Sequence, residues 1–293
     1  CHLGQDSFTR TLYENEKIHD LLIEKIGLEI GYQFKRLGIH MNFAPVIDIN
    51  TNPKNPIIGN RSYGENKINV SEKGISFTKG IQSNNVLATA KHFPGHGDTS
   101  KDSHLTLPTI NFDEKRIKKV ELYPFKKLIE DGLSAVMIAH LNVPSLEKEN
   151  MLPSTLSKNI IEKTLIKELN FNGLIITDAL EMKGVSEFTK KNVDLMAFLA
   201  GNDILLMSSD ISKGIKSIKK SIKKGKISEQ RLARSVKKIL KAKYKVGLTH
   251  NDRVDTKNIY TRLNTKKDTL LIEEAYAKSI TLLKNDNKLL PLD

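Results

Sequence analysis

The sequence predicts an α/β fold in which amphipathic helices alternate with the short apolar strands of a parallel sheet. The chain has 293 residues, of which 39% are hydrophobic, and this is enough to bury a sizeable core. Short apolar runs recur along the chain with helix-like segments between them, and these runs lack the polar alternation of half-exposed antiparallel strands. The single cysteine, Cys1, excludes an intrachain disulfide framework. The pattern is typical of repeated βα units.

The first two elements are a helix and a strand. From Glu14 to Leu37 apolar residues recur at helical spacing, and Gly38 follows as a C-terminal stop. The segment from Met41 to Asp48 is short and largely apolar and ends in polar residues, which predicts a strand.

Four further strands follow, and each ends at a polar or reactive side chain. They are Leu87–Ala90 before Lys91 and His92, Ala135–Ala139 before His140, Leu174–Thr177 before Asp178, and Ile204–Met207 before Ser208. In a (β/α)8 barrel all strands open their carboxyl ends on one face, so this pattern favours a barrel. A doubly wound sheet would instead carry a glycine-rich phosphate turn, and the sequence has no such motif.

The segments between the strands predict helices. Asp113 to Asp131 and Ser157 to Leu169 are helical in period, with Ser157 as a candidate N-cap. From Ser212 to Gly247 the chain is lysine-rich, and one apolar face is marked by Leu232, Val236, Ile239 and Leu240. A basic amphipathic helix can bind a membrane surface or a partner, but an outer barrel helix with a solvated lysine face is the favoured interpretation.

The charge balance is strongly basic. There are 47 Lys and Arg against 34 Asp and Glu, a formal net charge of +13. The excess is mostly lysine and is spread over many segments, whereas nucleic-acid binders concentrate charge beside aromatics or a reading helix. We therefore expect no nucleic-acid partner. No run reaches the roughly 20 apolar residues of a membrane helix, so we expect no membrane insertion.

The segment with the richest chemistry runs from Lys91 to His104. It holds three histidines, including His92 and His104, and also Asp102, on a loop that starts where a buried strand ends. A metal site is one interpretation, but no helical histidine pair supports it and the Gly and Pro residues disfavour a rigid ligand platform. On an extended backbone Asp102 and His104 would share one side, where the carboxylate could tune the imidazole for acid–base catalysis. A polar surface loop remains the alternative.

Asp178 ends the most apolar strand. A carboxylate there can be a nucleophile, a metal ligand or an N-cap for the next helix. Lys91, His92 and Arg61 could hydrogen-bond a polyhydroxylated ligand or form an ordinary salt-bridge network. Asp48 and His140 share the strand-end position, and nothing in the sequence assigns them a role.

Five segments together resemble glycoside hydrolase family 3, in particular its β-N-acetylglucosaminidase branch. They are Asn42–Asn50 (NFAPVIDIN), Arg61–Gly64 (RSYG), the Lys91–His104 loop (KHFPGHGDT…DSH), Val136–His140 (VMIAH) and Thr177–Leu180 (TDAL). The resemblance runs in order from about residue 20 to residue 250, and the loop motif is its most specific part.

The resemblance implies a (β/α)8 barrel and retaining hydrolysis through a covalent glycosyl-enzyme intermediate. Asp178 matches the family's nucleophile, His104 its general acid/base, and Asp102 the partner that orients the histidine. A further set matches residues that hold the hydroxyls of a terminal N-acetylglucosamine: Arg61, Lys91 and His92. No metal and no organic cofactor is implied.

The sequence departs from the family pattern at both ends. The first barrel strand, with its aspartate-containing sugar-binding motif, is expected before the Glu14 helix and is not found there. After the polar stretch that ends near Lys267, the segment from Ala277 to Leu292 resembles the start of a second α/β domain. We therefore expect residues 1–250 to form a barrel domain that lacks its first strand, residues 251–293 to be a linker and the start of a second domain, and the chain to be a fragment of a longer enzyme.

These observations predict an exo-acting β-N-acetylglucosaminidase that works on peptidoglycan fragments or chitooligosaccharides. A β-glucosidase of the same family is disfavoured by the Asp-Ser-His loop. A phosphorylase stays open, because a histidine acid/base avoids the repulsion between a carboxylate and incoming phosphate. A non-catalytic wall-binding module is the alternative from another class, and it would not need Asp178, Asp102 and His104 together.

Overall fold

The computed structural model describes residues 16–100, 106–189, 191–249, 253–280 and 285. Its strands are β1 (Met41–Asn42), β2 (Leu87–Phe93), β3 (Ala135–Ile138) and β4 (Leu174–Thr177). Its helices are α1 (Glu16–Arg36), α2 (Lys67–Gln82), α3 (Glu114–Lys119), α4 (Leu122–Glu130), α5 (Asn159–Glu168), α6 (Lys183–Ser186), α7 (Val193–Ala200), α8 (Ile211–Lys223), α9 (Glu229–Lys245), α10 (Ile259–Leu263) and α11 (Lys266–Ser279). Helix α5 is wound as a π-helix.

The four strands form one parallel sheet in chain order, β1-β2-β3-β4. Each strand pairs with the next in parallel, for example Met41 with Leu87 and Ala135 with Leu174. A parallel bridge between Ile176 and Ile204 continues the sheet beyond β4. The predicted α/β class with a parallel sheet is therefore confirmed, and all five predicted strand positions lie in one sheet.

Two of the predicted strands are shorter than expected. Only Met41 and Asn42 of the predicted 41–48 strand are regular, because Pro45 has no N–H to donate. Pairing nevertheless continues, since the Ile47 N–H donates to the Lys91 carbonyl at 2.8 Å. Beside Ile204 the Thr177 hydroxyl accepts from the Leu206 N–H at 2.9 Å, so a side chain replaces one rung of the ladder.

The observed helices lie where the sequence predicts helices, but they begin and end at different residues. Helix α1 lies inside the predicted 14–37 segment, whereas the predicted 113–131 helix is divided into α3 and α4. The Ser157 hydroxyl accepts from the Ile160 N–H at 3.0 Å, which is the predicted capping bond, although α5 begins at Asn159. Helices α2 and α4 cover one face of the sheet with Phe77, Phe125 and other apolar side chains.

Helices α1 and α2 meet backbone to backbone. A Cβ on Gly27 of α1 would lie 2.6 Å from the Phe77 carbonyl oxygen, and one on Gly80 of α2 would overlap the Glu24 carbonyl oxygen. Glycine is therefore required at this crossing, since any side chain would separate the two helices.

The lysine-rich stretch forms two helices, α8 and α9, and the predicted apolar face of α9 is buried only in part. Ile239 packs against the cluster that contains Leu87 and Leu174. The other apolar residues of this face, Leu232, Val236 and Leu240, are 38%, 43% and 58% exposed. The side that faces the sheet also carries Ser235 and Lys238, whose hydroxyl and ammonium both bind the buried Asp203 carboxylate. A buried carboxylate needs such partners, and this requirement outweighs the apolar pattern.

The last described helix packs back on the first. Leu271 and Ala275 of α11 contact Leu22, Ile26 and Ile30 of α1. None of the helices in the described ranges is long and apolar enough to cross a membrane.

Candidate active site

The carboxyl ends of the parallel strands bring the predicted polar residues together at one edge of the sheet. Lys91 and His92 lie near the end of β2, Asp178 follows β4, and His140 follows β3 by two residues. The cations and imidazoles at these positions shift the pKa of Asp178, which places the groups within electrostatic range of one another. The structure thus brings these strand-end residues to one edge of the sheet, which is the arrangement the sequence predicts.

Asp48 is the central acceptor of this cluster. Its carboxylate is fully buried and accepts from the His92 ring Nδ1 at 2.7 Å and from the His96 backbone N–H at 2.7 Å. The His92 backbone N–H also donates to it at 3.2 Å. Burial would raise the pKa of Asp48, but His92 and His96 hold that pKa below its ordinary value. Asp48 therefore fixes both the His92 ring and the loop that follows.

The loop from Phe93 to Ser100 is tied down on one side by the segment after Asp48. The Asn55 amide donates to the His96 carbonyl at 2.8 Å and to the Thr99 hydroxyl at 3.3 Å. The Asn55 side-chain oxygen accepts from two backbone N–H groups of its own segment, so its position is set on both sides. The Thr51 hydroxyl donates to Asp98 at 3.1 Å. The loop is thus ordered by buried polar contacts.

His96 lies inside this loop and is buried. Its Nδ1 is 2.7 Å from the Thr99 hydroxyl. Burial and the neighbouring His92 lower the pKa of His96 to about 4, against the opposing effects of Asp48 and Asp178. The ring is therefore neutral at physiological pH, and its hydrogen bond to Thr99 stabilises the loop.

Asp178 is half-buried and held in its ionised form. Burial would raise its pKa, but His92, His140, the Ala179 N–H and Lys91 hold that pKa below its ordinary value. The Ala179 N–H donates to Asp178 Oδ1 at 2.8 Å. The N-cap alternative for Asp178 is wrong, because the next helix begins at Lys183 with Met182 as its cap. What remains is a carboxylate aimed into the site with cations around it.

Lys91 and Arg61 supply positive charge beside the two carboxylates. Burial and the nearby Arg61 lower the pKa of Lys91, while Asp178 and Asp48 raise it. Arg61 is carried by a short helical turn that is anchored by the next residue, since the Ser62 hydroxyl donates to the Asp48 carbonyl at 2.6 Å. The structure thus brings Arg61, Lys91 and His92 to the same site, as the sequence predicts.

His140 holds the backbone next to Asp178 in place. It is fully buried, with Nδ1 2.6 Å from the Thr155 hydroxyl and Nε2 2.9 Å from the Ala179 carbonyl. The Thr155 hydroxyl donates its one proton to the Ala139 carbonyl at 2.8 Å, so its oxygen accepts from the imidazole Nδ1–H. Nε2 donates to the Ala179 carbonyl, so both ring nitrogens act as donors. This chain of bonds fixes the backbone on which Asp178 sits.

Two predicted catalytic residues, Asp102 and His104, lie outside the described residues. Within the described ranges no group of three His, Cys, Asp or Glu side chains is arranged to hold an ion.

The amino-acid sequence alone assigns no role to Asp48, His140 or Asn55. The strand-end positions of Asp48 and His140 were the available signal, whereas Asn55 lies in a loop whose sequence gives none.

Known proteins share the sequence and the fold of this chain. The chain matches the Glycosyl hydrolase family 3 N terminal domain over residues 8–242. Beta-hexosaminidase A of Pseudoalteromonas piscicida is 35% identical over 247 residues, which are 78% of this chain and 41% of that protein.

Two solved structures share the fold. A glycoside hydrolase family 3 beta-N-acetylglucosaminidase from Paenibacillus sp. str. FPU-7 superposes with a TM-score of 0.80 at 39% identity, covering 90% of this chain and 52% of that one. The beta-glucoside phosphorylase BglX superposes with a TM-score of 0.90 at 27% identity, covering 100% of this chain and 54% of that one. The chain thus spans about half the length of these relatives, and the sheet described above is the corresponding part of their barrel. The match over most of its length shows that this chain belongs to glycoside hydrolase family 3.

Proposed function

We propose that this chain carries the catalytic centre of a retaining exo-β-N-acetylglucosaminidase that acts on peptidoglycan fragments or chitooligosaccharides. The observation that carries the proposal is Asp178, an ionised carboxylate at a strand end with Lys91, His92 and His140 acting on it. A retaining glycosidase needs such a carboxylate to attack the anomeric carbon. We infer N-acetylglucosamine as the sugar from relatives named beta-hexosaminidase and beta-N-acetylglucosaminidase.

In the proposed reaction Asp178 forms the covalent glycosyl bond while the leaving-group oxygen takes a proton from His104. Water then attacks the same carbon, His104 accepts a proton from it, and the bond to Asp178 breaks. Asp102 orients His104 and polarises it. These two roles rest on the sequence resemblance.

The described residues supply the binding part of the proposal. His92 has its Nδ1 held by Asp48, which leaves Nε2 to meet a sugar hydroxyl. Lys91 and Arg61 are donors with fixed surroundings, and they suit the oxygen-rich face of a terminal sugar. No metal or organic cofactor takes part in these steps.

The test is hydrolysis of an aryl β-N-acetylglucosaminide and the matching β-glucoside by the 293-residue chain. We expect a preference for the N-acetyl sugar and release of the β-anomer first, seen by proton NMR. Asp178→Ala should abolish turnover and leave the circular dichroism spectrum unchanged. Asp131→Asn, an exposed carboxylate paired with Lys79, is the matched control and should retain full activity. Normal turnover by Asp178→Ala would refute the nucleophile assignment.

A phosphorylase is the second candidate, and the likeness to BglX favours it. Adding inorganic phosphate separates the two, because a phosphorylase forms the sugar 1-phosphate and gains rate, whereas a hydrolase does neither. A chain that binds the sugar in calorimetry but turns over neither substrate would be a binding module.

A further inference from the structure

Glu121 is a buried carboxyl group that lies against the Phe93–Ser100 loop. It directly precedes helix α4, and only 6% of the residue is exposed. Gly95 of the loop has a φ of +126°, and a Cβ there would lie 2.9 Å from the Glu121 Cβ and 3.1 Å from its Cγ. The stem of Glu121 therefore occupies the space that a side chain at position 95 would need.

The carboxyl group of Glu121 is only half satisfied. Its Oε1 lies 3.0 Å from the Arg116 guanidinium of α3. Its Oε2 is buried and has no hydrogen-bond partner among the described residues. A buried carboxylate oxygen without a donor is costly, and the cost falls when the group is protonated.

The charges around Glu121 also favour its protonated form. Burial, with the nearby Asp98 in addition, raises the pKa of Glu121 to about 7, although Arg116 and a backbone hydrogen bond lower it. Arg116 comes from α3 and Asp98 from the loop. The loop thus presents a negative charge to Glu121, and ionised Glu121 repels it.

The remaining anchors of the loop come from the other side. Asp48 and Asn55 bind the His96 backbone, and Thr51 and Asn52 bind Asp98. None of these bonds involves α4. At α4 the Phe93 ring packs edge-on against Phe125, with ring centroids 5.0 Å apart, and Gly95 meets Glu121 just before the helix. Of these contacts, the one with Glu121 involves a group that can lose a proton.

We propose that Glu121 is a positioning residue: with its proton it seats the Phe93–Ser100 loop against α4, and loss of that proton loosens the loop and slows turnover. The proposal rests on the proposed function, because the loop runs in sequence into Asp102 and His104, the proposed acid/base pair. Glu121 touches no substrate and acts through the loop backbone.

The first test measures the loop itself and needs no activity. Hydrogen exchange of peptides covering residues 93–100 is followed at pH 6 and pH 8 and corrected for intrinsic rates. With half-protonation at about pH 7, the protonated fraction falls about tenfold across this interval, and loop exchange should rise by up to that factor. Glu121→Gln, an uncharged group of the same shape, should show less than a twofold change. Equal pH dependence in both proteins would overturn the proposal.

The second test measures turnover of an activated aryl glycoside, which depends least on acid assistance from His104. For the natural chain, kcat should fall by up to about tenfold between pH 6 and pH 8. In Glu121→Gln this decrease of kcat should be smaller, and KM should be unchanged. Glu114→Gln, an exposed glutamate of α3 paired with Lys118, is the matched control and should keep the natural profile. If no aryl glycoside is hydrolysed, the proposed function fails and the exchange test still decides the role of Glu121.

A direct titration covers the case in which Glu121→Gln does not fold. The carboxyl carbon of Glu121 in the natural chain, followed by carbon NMR, should titrate near pH 7. A midpoint near the ordinary glutamate value of about 4.3 would overturn the proposal.

Discussion

Replacing Asp48 with asparagine tests the central acceptor of the site. Asparagine keeps the shape and one acceptor oxygen, but its NH2 group would face donors that now share a carboxylate. At least one of the three donor groups loses its acceptor, and a hydrogen bond to a charged group contributes about 1.5–3 kcal/mol. We expect Asp48→Asn to lower the free energy of unfolding by roughly 3 kcal/mol, or the melting temperature by about 6 °C.

The assay is urea unfolding followed by circular dichroism at several pH values. The pKa of Asp48 is lowered in the folded state, so its stabilisation is present above the unfolded value of about 3.9 and is lost as pH falls through the folded value. The difference between Asp48→Asn and the natural chain should therefore narrow as pH drops below about 4. Asp131→Asn, paired with Lys79 at the surface, should cost less than about 1 kcal/mol.

Activity gives an independent measure of the same change. Without the carboxylate the His92 ring is no longer fixed in one tautomer, and we expect kcat to fall on the order of a hundredfold. A folded Asp48→Asn with a stability loss under 0.5 kcal/mol and normal kcat would refute the reasoning.

Three further changes probe the supports of the site. His140→Ala should lower kcat by roughly 30-fold, about 2 kcal/mol, since the Ala179 carbonyl and the Thr155 hydroxyl lose their partner; unchanged kinetics would contradict this. His96→Gln should make the stability less sensitive to acid. Because the pKa of His96 is about 4 in the folded state, the free energy of unfolding of the natural chain should fall by about 3 kcal/mol between pH 6.5 and pH 4. An equal fall in the variant would show that His96 is not the cause. Asn55→Ala should destabilise by about 2–3 kcal/mol and speed proteolysis of the loop; protease resistance equal to that of the natural chain would show that Asn55 is dispensable.

The strand order and the strand-end residues were predictable because both depend on local pattern. Continuous apolar runs such as 135–139 and 174–177 are buried on both faces, and the residues after them emerge at one edge. Lys91, His92 and Asp178 were therefore identified from the sequence alone. The residues at a strand end can be predicted because they directly follow the apolar run in the sequence.

The roles of Asp48 and Glu121 were not predictable because they depend on distant contacts. Asp48 meets His92 and His96 across more than forty residues, and its full burial is a property of the folded sheet. The apolar face of α9 was predicted only in part for the same reason. Ile239 packs against the sheet, but the buried Asp203 binds Ser235 and Lys238, and the other predicted apolar residues stay exposed. A periodic pattern ranks faces by hydrophobicity and contains no information about a buried charge elsewhere.

The glycine crossing of α1 and α2 sets the mutational tolerance of the site from a distance. Two helices that touch through Gly27 and Gly80 have no side chains at the contact that could repack, so a substitution there shifts the whole helix. Helix α2 leads through a short connection into β2, which carries Lys91 and His92. In a library selected for turnover, these two chemically inert positions should therefore tolerate as little variation as the residues that hold the sugar.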